Sequence, residues 1–559
     1  MRATMSRSRV EAIVTAGAKA AVRAGPLWRA AVLYGALAAL LAYPLSIRPG
    51  THVMSPAPDT DLSLWALAWD AHAFTHQPLA IFDANIYYPY GRTLAYSENF
   101  IGSALFAAPV LWLTGNPVLA LNLVALLSSV LCGLGAFLLA RRAGVSAAGA
   151  TLAGIVFAFS PPRFLRLDQL HLATIQWMPF CLAYLLAYLE GGRPRDLRLA
   201  ALFFTLQALS SGHGVVLLLV AVVTLLTYRL VVRRDAIAFG RRLRDLGVPG
   251  VFALVPAALL FVPYLTVQRE MGLRRTLENW TVSAASFLAS PSHAHVWLLS
   301  LLGAARINES ANAYLFPGFI PIALALVAVV RRRGAWALLL TLVAVWLSVG
   351  PPVSIWPLVY WLPGFNLIRV PSRFMLLAVL GLAVLAGFGF DELARARGTA
   401  SRAIMAALLG ALLVAEFAAM PFETTPYVVD PPVIDRWLAT RPAPFAVAEV
   451  PLPNPADVNA WERRETAFML HATAHWQKTV HGYSGFRPTL HERLFAALRT
   501  FPDEASIRGL TDISVTYVVV HTDLYAPDEW KRIEAEIANV PALKLEHVEG
   551  AGRVYSLPR

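Results

Sequence analysis

The chain has 559 residues, of which 57% are hydrophobic and only 15% are charged. Soluble domains average about 45–50% apolar and about 25% charged residues, so this composition excludes an ordinary soluble protein and predicts a polytopic α-helical membrane protein. The formal net charge of +12 does not indicate a nucleic-acid partner, because the arginines cluster in short segments between apolar runs and report membrane orientation instead. Cys132 and Cys181 both lie inside apolar runs, so no disulfide framework is expected.

The N-terminal segment 1–29 is basic and rich in alanine, and an apolar run follows it at 30–47. This run is too long for the core of an ordinary signal peptide, and no clear small-x-small cleavage site follows it. We therefore predict a cytoplasmic N-terminus and a retained first helix. About twenty apolar residues cross a bilayer as a helix. On that basis the sequence predicts about eleven spans, near residues 30–47, 118–140, 147–163, 172–190, 197–212, 213–232, 247–268, 313–330, 335–350, 372–390 and 402–420.

One further apolar run, residues 100–114, would reverse the side of every later loop if it crossed the membrane. When it is left out, the arginine clusters fall on the cytoplasmic side, as the positive-inside rule requires. We therefore predict a juxtamembrane helix on the outer face, within an outer loop formed by residues 48–117. The C-terminal segment 421–559 then also lies outside. The arginine clusters concerned are at 141–142, 193–198, 229–244, 331–333 and 395–402.

The C-terminal segment 421–559 differs in character from the apolar part of the chain, because it is rich in proline and charge. Alternating apolar and polar residues predict strands, and helical periodicity predicts helices between them. We predict a small α/β domain on the outer surface. The predicted strands are at 444–452, 516–523 and 552–557, and the predicted helices are at 489–500 and 528–538.

Acidic side chains are scarce here, yet Asp59 and Asp61 stand two residues apart where the first span should leave the bilayer. A carboxylate at that position can accept a proton from an acceptor hydroxyl, so these two are the predicted catalytic residues. Their spacing also permits a divalent cation, although no metal site is predicted from two carboxylates alone. Asp70 is expected on the polar face of an interfacial helix. The alternative for Asp59 and Asp61 is that they only cap a helix or lie in a solvated loop.

Further charged and imidazole side chains face the same side in this topology, and ionisable groups beside membrane spans are costly unless they are functional. Arginines suit a phosphate leaving group because their planar guanidinium forms paired hydrogen bonds. We therefore expect one outer chamber that binds substrate and phosphate. The alternatives are snorkelling arginines, a satisfied histidine and residues that only anchor or break a helix. The predicted binding residues are Arg92, Glu98, Arg163, Arg166, His171, His213, Arg369 and Arg373.

The order of these features along the chain is similar to that of a known family. The first span precedes the Asp-x-Asp loop, an aromatic stretch at Tyr88–Tyr90, a span ending in Arg141-Arg142, a span ending in Ser-Pro, then a histidine and the Trp177-x-Pro179 motif. This layout resembles the C-type (GT-C) superfamily of membrane glycosyltransferases that use polyprenyl-phosphate sugars. The segments 368–374 and 387–393 are similar to an uncharacterised bacterial branch. The likeness covers about residues 30–420 and is specific only in the first third.

The resemblance implies that a first-loop carboxylate, Asp59 or Asp61, is the catalytic base for sugar transfer at the extracytoplasmic face. Its implied partners are a polyprenyl-phosphate-linked sugar, membrane lipid and a glycan, lipid or protein acceptor. The implied location is a bacterial inner membrane. The chain lacks a W-W-D-like acceptor motif of oligosaccharyltransferases, so transfer to protein asparagine is not expected. The rival functions are a transporter or lipid flippase, and a non-catalytic scaffold of envelope polysaccharide assembly.

Two further features of the C-terminal segment give weaker indications of function. His471 and His475 stand four residues apart, as metal ligands on a helix often do. No glutamate lies between them as in H-E-x-x-H, and no third ligand is evident, so a metal is not expected there. The loop 481–488, HGYSGFRP, is either a sugar-stacking loop or an ordinary turn packed on the bundle.

Overall fold

The protein is described here by a computed structural model that covers residues 25–232, 239–271, 282–301 and 314–558, apart from 352, 363–364, 366–367 and 369. Most of the N-terminal segment 1–29, which is predicted to be cytoplasmic, lies outside these residues. The predicted binding residue Arg369 also lies outside them. The first half of the chain is helical. Its helices are α1 Gly25–Leu41, α2 Pro58–His76, α3 Ile101–Thr114, α4 Pro117–Arg142, α5 Ala147–Phe159, α6 Pro161–Phe164, α7 Leu170–Ala173, α8 Trp177–Gly191, α9 Pro194–Ser210 and α10 Gly212–Thr227.

The second part of the bundle begins with a long helix, α11, which is broken at Gly247 (φ 57°, ψ −174°). A positive φ of this kind is readily adopted by glycine because it has no Cβ. The helices of this part are α11 Phe239–Glu270, α12 His293–Leu301, α13 Phe319–Val330, α14 Ala335–Val349, α15 Trp356–Val359, α16 Met375–Leu393 and α17 Thr399–Phe417.

Every predicted span overlaps one of these helices. Within the described residues, six helices are long and apolar enough to cross a membrane, and five shorter ones are apolar. The polytopic helical fold class is therefore confirmed, while the number of spans and the side of each loop stay predictions. Helix α16 is buried along nearly all its length between α5, α13 and α14. It forms the centre of the bundle.

The predicted outer loop, residues 48–117, contains packed helices rather than an open loop. Pro58 occupies the first turn of α2, where its missing N–H costs nothing. Asp59 and Asp61 follow in the same turn, where the positive end of the helix dipole stabilises their negative charge. The expectation that Asp70 lies on a polar face is wrong, because Asp70 is fully buried. Its helix packs against α3, α4 and the C-terminal domain, which leaves α2 without a wholly solvent-facing side.

The C-terminal segment folds into the predicted α/β domain, with strand order β4-β3-β5-β7-β6 in one mixed sheet. Strands β3, β4 and β5 are parallel, and β5, β7 and β6 are antiparallel. Alternate residues of β3 and β5 point into two apolar clusters on opposite faces of the sheet. The elements are α18 Val433–Leu438, β3 Ala446–Val450, α19 Val458–His471, β4 Lys478–Thr479, α20 Thr489–Leu498, α21 Glu504–Asp512, β5 Tyr517–His521, α22 Pro527–Ala538, β6 Lys544–Glu549 and β7 Gly552–Ser556.

This domain is joined to the segment 48–117 by backbone hydrogen bonds. A two-residue strand β1, His52–Val53, pairs antiparallel with β2, Thr425–Pro426. Further along, the N–H of Tyr88 donates to the carbonyl of Thr479 at 2.9 Å, and the N–H of Thr479 donates to the carbonyl of Asn85 at 2.7 Å. These contacts hold α19 and the loop 481–488 against α2.

Candidate functional site

A cavity of about 360 Å³ lies where α2, the segment 95–100, the start of α10, the end of α11 and the C-terminal domain meet. One wall is polar and another is apolar. The polar residues that line it include four predicted earlier as binding residues and one predicted as catalytic. The ionisable side chains that line the cavity are Asp59, Tyr96, Glu98, His171, His213, Tyr264, Arg373, Glu462 and Tyr483.

Asp59 is the exposed carboxylate at this cavity. The hydroxyl of Tyr483 donates a hydrogen bond to its Oδ1 at 3.2 Å. Burial, and then the nearby charge of Asp59, raise the pKa of Glu462. Burial is also the main cause that raises the pKa of Asp168, and Asp59 adds to it. Asp59 and Glu462 therefore place two carboxylates at the same cavity.

Asp61 does not line the cavity, although it is two residues away. It is buried, and its Oδ2 accepts a hydrogen bond from Thr466 at 2.6 Å while its Oδ1 accepts one from the hydroxyl of Tyr427. Both partners belong to the C-terminal segment. A divalent cation shared with Asp59 would have to displace these hydroxyls, and metal use there stays a prediction.

Glu98, His213 and Arg373 form a chain of contacts along the cavity floor. Glu98 accepts hydrogen bonds from the N–H of Gly212 at 2.7 Å, from the N–H of His213 at 3.2 Å and from Nδ1 of His213. Arg373 Nη1 lies 2.6 Å from Nε2 of His213. Since the guanidinium has only donors, this contact assigns a neutral imidazole with its proton on Nδ1.

The electrostatics of Glu98 follow from these contacts. Burial opposes its ionisation, but His213 and the two backbone N–H groups at the start of α10 outweigh burial and lower the pKa of Glu98. Glu98 is therefore an anion that orients His213, and His213 in turn orients Arg373. These contacts hold the guanidinium of Arg373 in one orientation at the wall of the cavity.

Two other predicted residues lie beside this chain. The imidazole of His171 lies 4.9 Å from that of His213, measured between ring centroids, and lines the cavity. Arg166 is buried and does not line the cavity, and its guanidinium donates to the carbonyl of Pro162 at 2.9 Å and to Oε1 of Gln169 at 3.3 Å. Burial first and the charge of Arg373 second lower the pKa of Arg166 to about 9.

Two predicted ligands lie elsewhere. Arg163 is fully buried, and its guanidinium donates to the carbonyl oxygens of Ala158 at 2.7 Å and Ala173 at 3.1 Å, and to two serine hydroxyls of α4. It does not line the cavity. Arg92 lies on the surface and pairs with Glu270 at 2.5 Å. Both arginines hold chain segments together in this structure.

The apolar wall belongs to the end of α11 and contains Leu260, Phe261, Leu265 and Val267. The outward side of the same helix carries large exposed apolar side chains, as expected for a surface that meets lipid. Tyr264 fixes this wall to the polar floor. Its hydroxyl donates to the carbonyl of Ser97 at 3.0 Å and accepts from the N–H of Asn99 at 3.0 Å.

The sequence did not single out Tyr264, Glu462 or Tyr483 as functional residues. Tyr483 lies in the loop 481–488, whose glycines and aromatic residues were the available signal. This loop lines the cavity with Tyr483, Ser484 and Gly485 and also contacts the segment 48–117 through Ser484 and Tyr87. Nothing in the sequence near Glu462 or Tyr264 indicates that either faces a site, because both approach it through long-range folding.

No protein-family model matches the sequence, and no curated protein matches it. Solved structures do match. The archaeal oligosaccharyltransferase AglB from Archaeoglobus fulgidus, in complex with an inhibitory peptide and a dolichol-phosphate, is similar with a TM-score of 0.50 and 13% identity, over 89% of this chain and 69% of that chain. ArnT from Cupriavidus metallidurans bound to undecaprenyl phosphate gives a TM-score of 0.46 and 15% identity, over 94% of this chain and 97% of that chain.

The likeness to AglB shows the fold. The chain is a polytopic helical membrane protein of GT-C-like architecture with a C-terminal α/β domain. The fold expected from the order of the sequence motifs is therefore confirmed.

Proposed function

We propose that the protein is a membrane glycosyltransferase that moves a sugar from a polyprenyl phosphate to an acceptor at the extracytoplasmic face of a bacterial inner membrane. The observation that carries this proposal is a single cavity with two unlike walls. Asp59 and the Glu98–His213–Arg373 chain form the polar side, and the end of α11 forms the apolar side. A sugar phosphate on a lipid has the same division between a charged head and a hydrocarbon tail.

The reaction follows from these positions. The acceptor X–H loses its proton to a carboxylate oxygen of Asp59 as X attacks the anomeric carbon. The bond between that carbon and the phosphate oxygen breaks, and polyprenyl phosphate leaves with the electron pair. A direct displacement of this kind inverts the anomeric centre. Arg373 stabilises the negative charge that develops on the phosphate.

The other residues position these groups. Tyr483 restrains the Asp59 carboxylate through its hydroxyl. Glu98 and His213 hold the guanidinium of Arg373. His171 lies beside the imidazole of His213, where it narrows the floor of the cavity.

The proposal is tested with a deletion strain of the source organism and with Asp59→Asn. We expect the strain to accumulate a polyprenyl-phosphate sugar and to lose one glycan from its envelope, both measured by mass spectrometry. Wild-type protein should reverse both changes. Asp59→Asn should lower transfer by about 10²–10⁴-fold because the general base is lost, with unchanged abundance and thermal stability.

Glu423→Gln is the matched control, because Glu423 is exposed on the segment that enters the C-terminal domain and lies outside the cavity. It should complement fully. If Asp59→Asn also complements fully, the catalytic proposal is wrong. If purified protein moves labelled lipid across vesicles without forming a new glycosidic bond, a flippase replaces it.

A further inference from the structure

A second cluster of ionisable side chains lies inside the C-terminal domain, away from the cavity. Glu449 on β3, His471 at the end of α19 and His521 at the end of β5 place one ligand atom each within 4.8 Å of one another. Their positions follow from topology, since parallel β3 and β5 are neighbours and their carboxyl ends meet at one edge of the sheet.

The contacts inside the cluster are short and converge on one oxygen. Oε2 of Glu449 lies 2.8 Å from Nδ1 of His471 and 2.7 Å from Nε2 of His521. Zinc is bound by histidine nitrogen and carboxylate oxygen at about 2.0–2.2 Å. Ligand atoms around a tetrahedral zinc ion are therefore roughly 3.3 Å apart, so small side-chain movements would admit an ion among these three atoms.

A fourth group points toward the same place. Asp435 on α18 is fully buried, and its Oδ2 lies 3.9 Å from Nδ1 of His471. Neither of its carboxylate oxygens receives a hydrogen bond from any residue that the structure describes. Such a group costs free energy when it is buried without a partner, and a bound cation supplies one.

We propose that Asp435, Glu449, His471 and His521 form a structural site for a divalent transition-metal ion, with Zn²⁺ as the ion tested first. Two imidazole nitrogens and two carboxylate oxygens suit zinc, which imposes no geometry of its own through its d electrons. On binding, the ion takes the place of the N–H protons that face Glu449. Each such proton is released to solvent or moves to the other nitrogen of the same ring. The ion joins α18, β3, α19 and β5 in the interior of the domain.

The sequence pair His471 and His475 does not form this site. The Nδ1 atom of His475 accepts a hydrogen bond from the N–H of Gln477 at 3.0 Å instead. The partners of His471 come from strands 22 residues earlier and 50 residues later in the chain, a separation that helical spacing does not reveal.

The test uses the full-length protein purified in detergent, treated with a chelator and then dialysed against Zn²⁺. We expect about one zinc ion per chain by mass spectrometry of metals. His521→Gln and Asp435→Asn should each weaken zinc binding at least about tenfold. His547→Gln is the control, because this histidine belongs to β6 of the same domain and lies outside the cluster. It should retain the ion.

A second measurement serves if a variant fails to fold. Co²⁺ added to the wild-type protein should give the visible absorption of a four-coordinate nitrogen and oxygen site, and one equivalent of Zn²⁺ should remove it. Wild-type protein that retains no zinc and shows no such band would overturn the proposal. Equal zinc binding by wild type and by folded His521→Gln would also overturn the proposal, because the ion would then be bound at some other place in the protein.

Discussion

The hydroxyl of Tyr483 donates to Oδ1 of Asp59 at 3.2 Å, and this contact joins the first turn of α2 to a loop more than 400 residues later in the chain. The cavity is therefore completed by the C-terminal domain. In the proposed reaction, a carboxylate that is fixed by a phenol is ready to accept a proton in one orientation.

Tyr483→Phe removes that hydrogen bond and keeps the ring. A hydrogen bond of this kind contributes about 1–1.5 kcal/mol, so we expect the turnover number for sugar transfer to fall by about tenfold. The Michaelis constant for the lipid donor should change little. Tyr525→Phe, whose ring lies against Trp530 in the outer part of the domain, is the control. An unchanged turnover number would show that the hydrogen bond from Tyr483 to Asp59 does not contribute to catalysis.

Asp61 should behave differently from Asp59 although the two are close in sequence. Asp61→Ala removes the carboxylate that accepts hydrogen bonds from the hydroxyls of Thr466 and Tyr427, and leaves Thr466 only its longer contact with the carbonyl of Arg463 at 3.2 Å. The expected loss is about 1–3 kcal/mol of unfolding free energy. It should appear as a lower melting temperature and as faster proteolysis within residues 421–559.

A double-mutant cycle with Thr466→Val isolates this contact. Because the two side chains interact directly, the combined loss from Asp61→Ala and Thr466→Val should be smaller than the sum of the single losses. Strictly additive losses would mean that Asp61 stabilises the protein through some other contact.

Glu98 should make part of the stability depend on pH. Its pKa lies below the ordinary value of 4.5, so its contribution is complete above about pH 4.5 and is lost as the pH falls through the lowered pKa. Glu98→Gln should lower the unfolding free energy by about 1.5–3 kcal/mol at neutral pH. The variant should also lose less stability than wild type between neutral pH and pH 3.

Thermal unfolding across that pH range measures both effects. Glu270→Gln is the control, because this carboxylate forms an exposed pair with Arg92 that contributes little. A decline in acid of the same size for wild type and Glu98→Gln would mean that Glu98 is not the titrating group.

The sequence was sufficient for the architecture and for part of the site. Apolar periodicity located the bundle, and alternating residues located β3, β5 and β7. The edge strand β6, which reads KLEHVE and is mostly exposed, carries too little apolar pattern to be predicted. Glu98, His171, His213 and Arg373 do meet at one cavity.

The predicted residues that lie away from the cavity have a common physical reason for their positions. Asp61 and Arg163 were predicted from their residue types and their predicted side of the membrane, which they share with the cavity residues. Their partners include residues from other segments, Thr466 for Asp61 and the α4 serines Ser128 and Ser129 for Arg163. Asp70 was placed on a polar face because the packing of the C-terminal domain over α2 has no local signal.

Arg373 lines the cavity and Arg163 does not, so the proposed function predicts opposite effects for substitutions of these two arginines. Arg373→Lys keeps the charge and loses the planar fork that suits phosphate. We expect the dissociation constant for undecaprenyl phosphate, used as the probe, to rise about tenfold, which corresponds to about 1.4 kcal/mol. The melting temperature should stay near that of wild type.

Arg163→Lys should give the opposite pattern. A lysine cannot replace the hydrogen bonds that the Arg163 guanidinium makes to two carbonyls and two serines, so buried acceptors lose their partner. The melting temperature and yield should fall, while folded protein should bind the probe lipid with wild-type affinity. Weaker lipid binding by folded, stable Arg163→Lys would instead move the phosphate site into the interior of the bundle, because Arg163 reaches no part of the cavity.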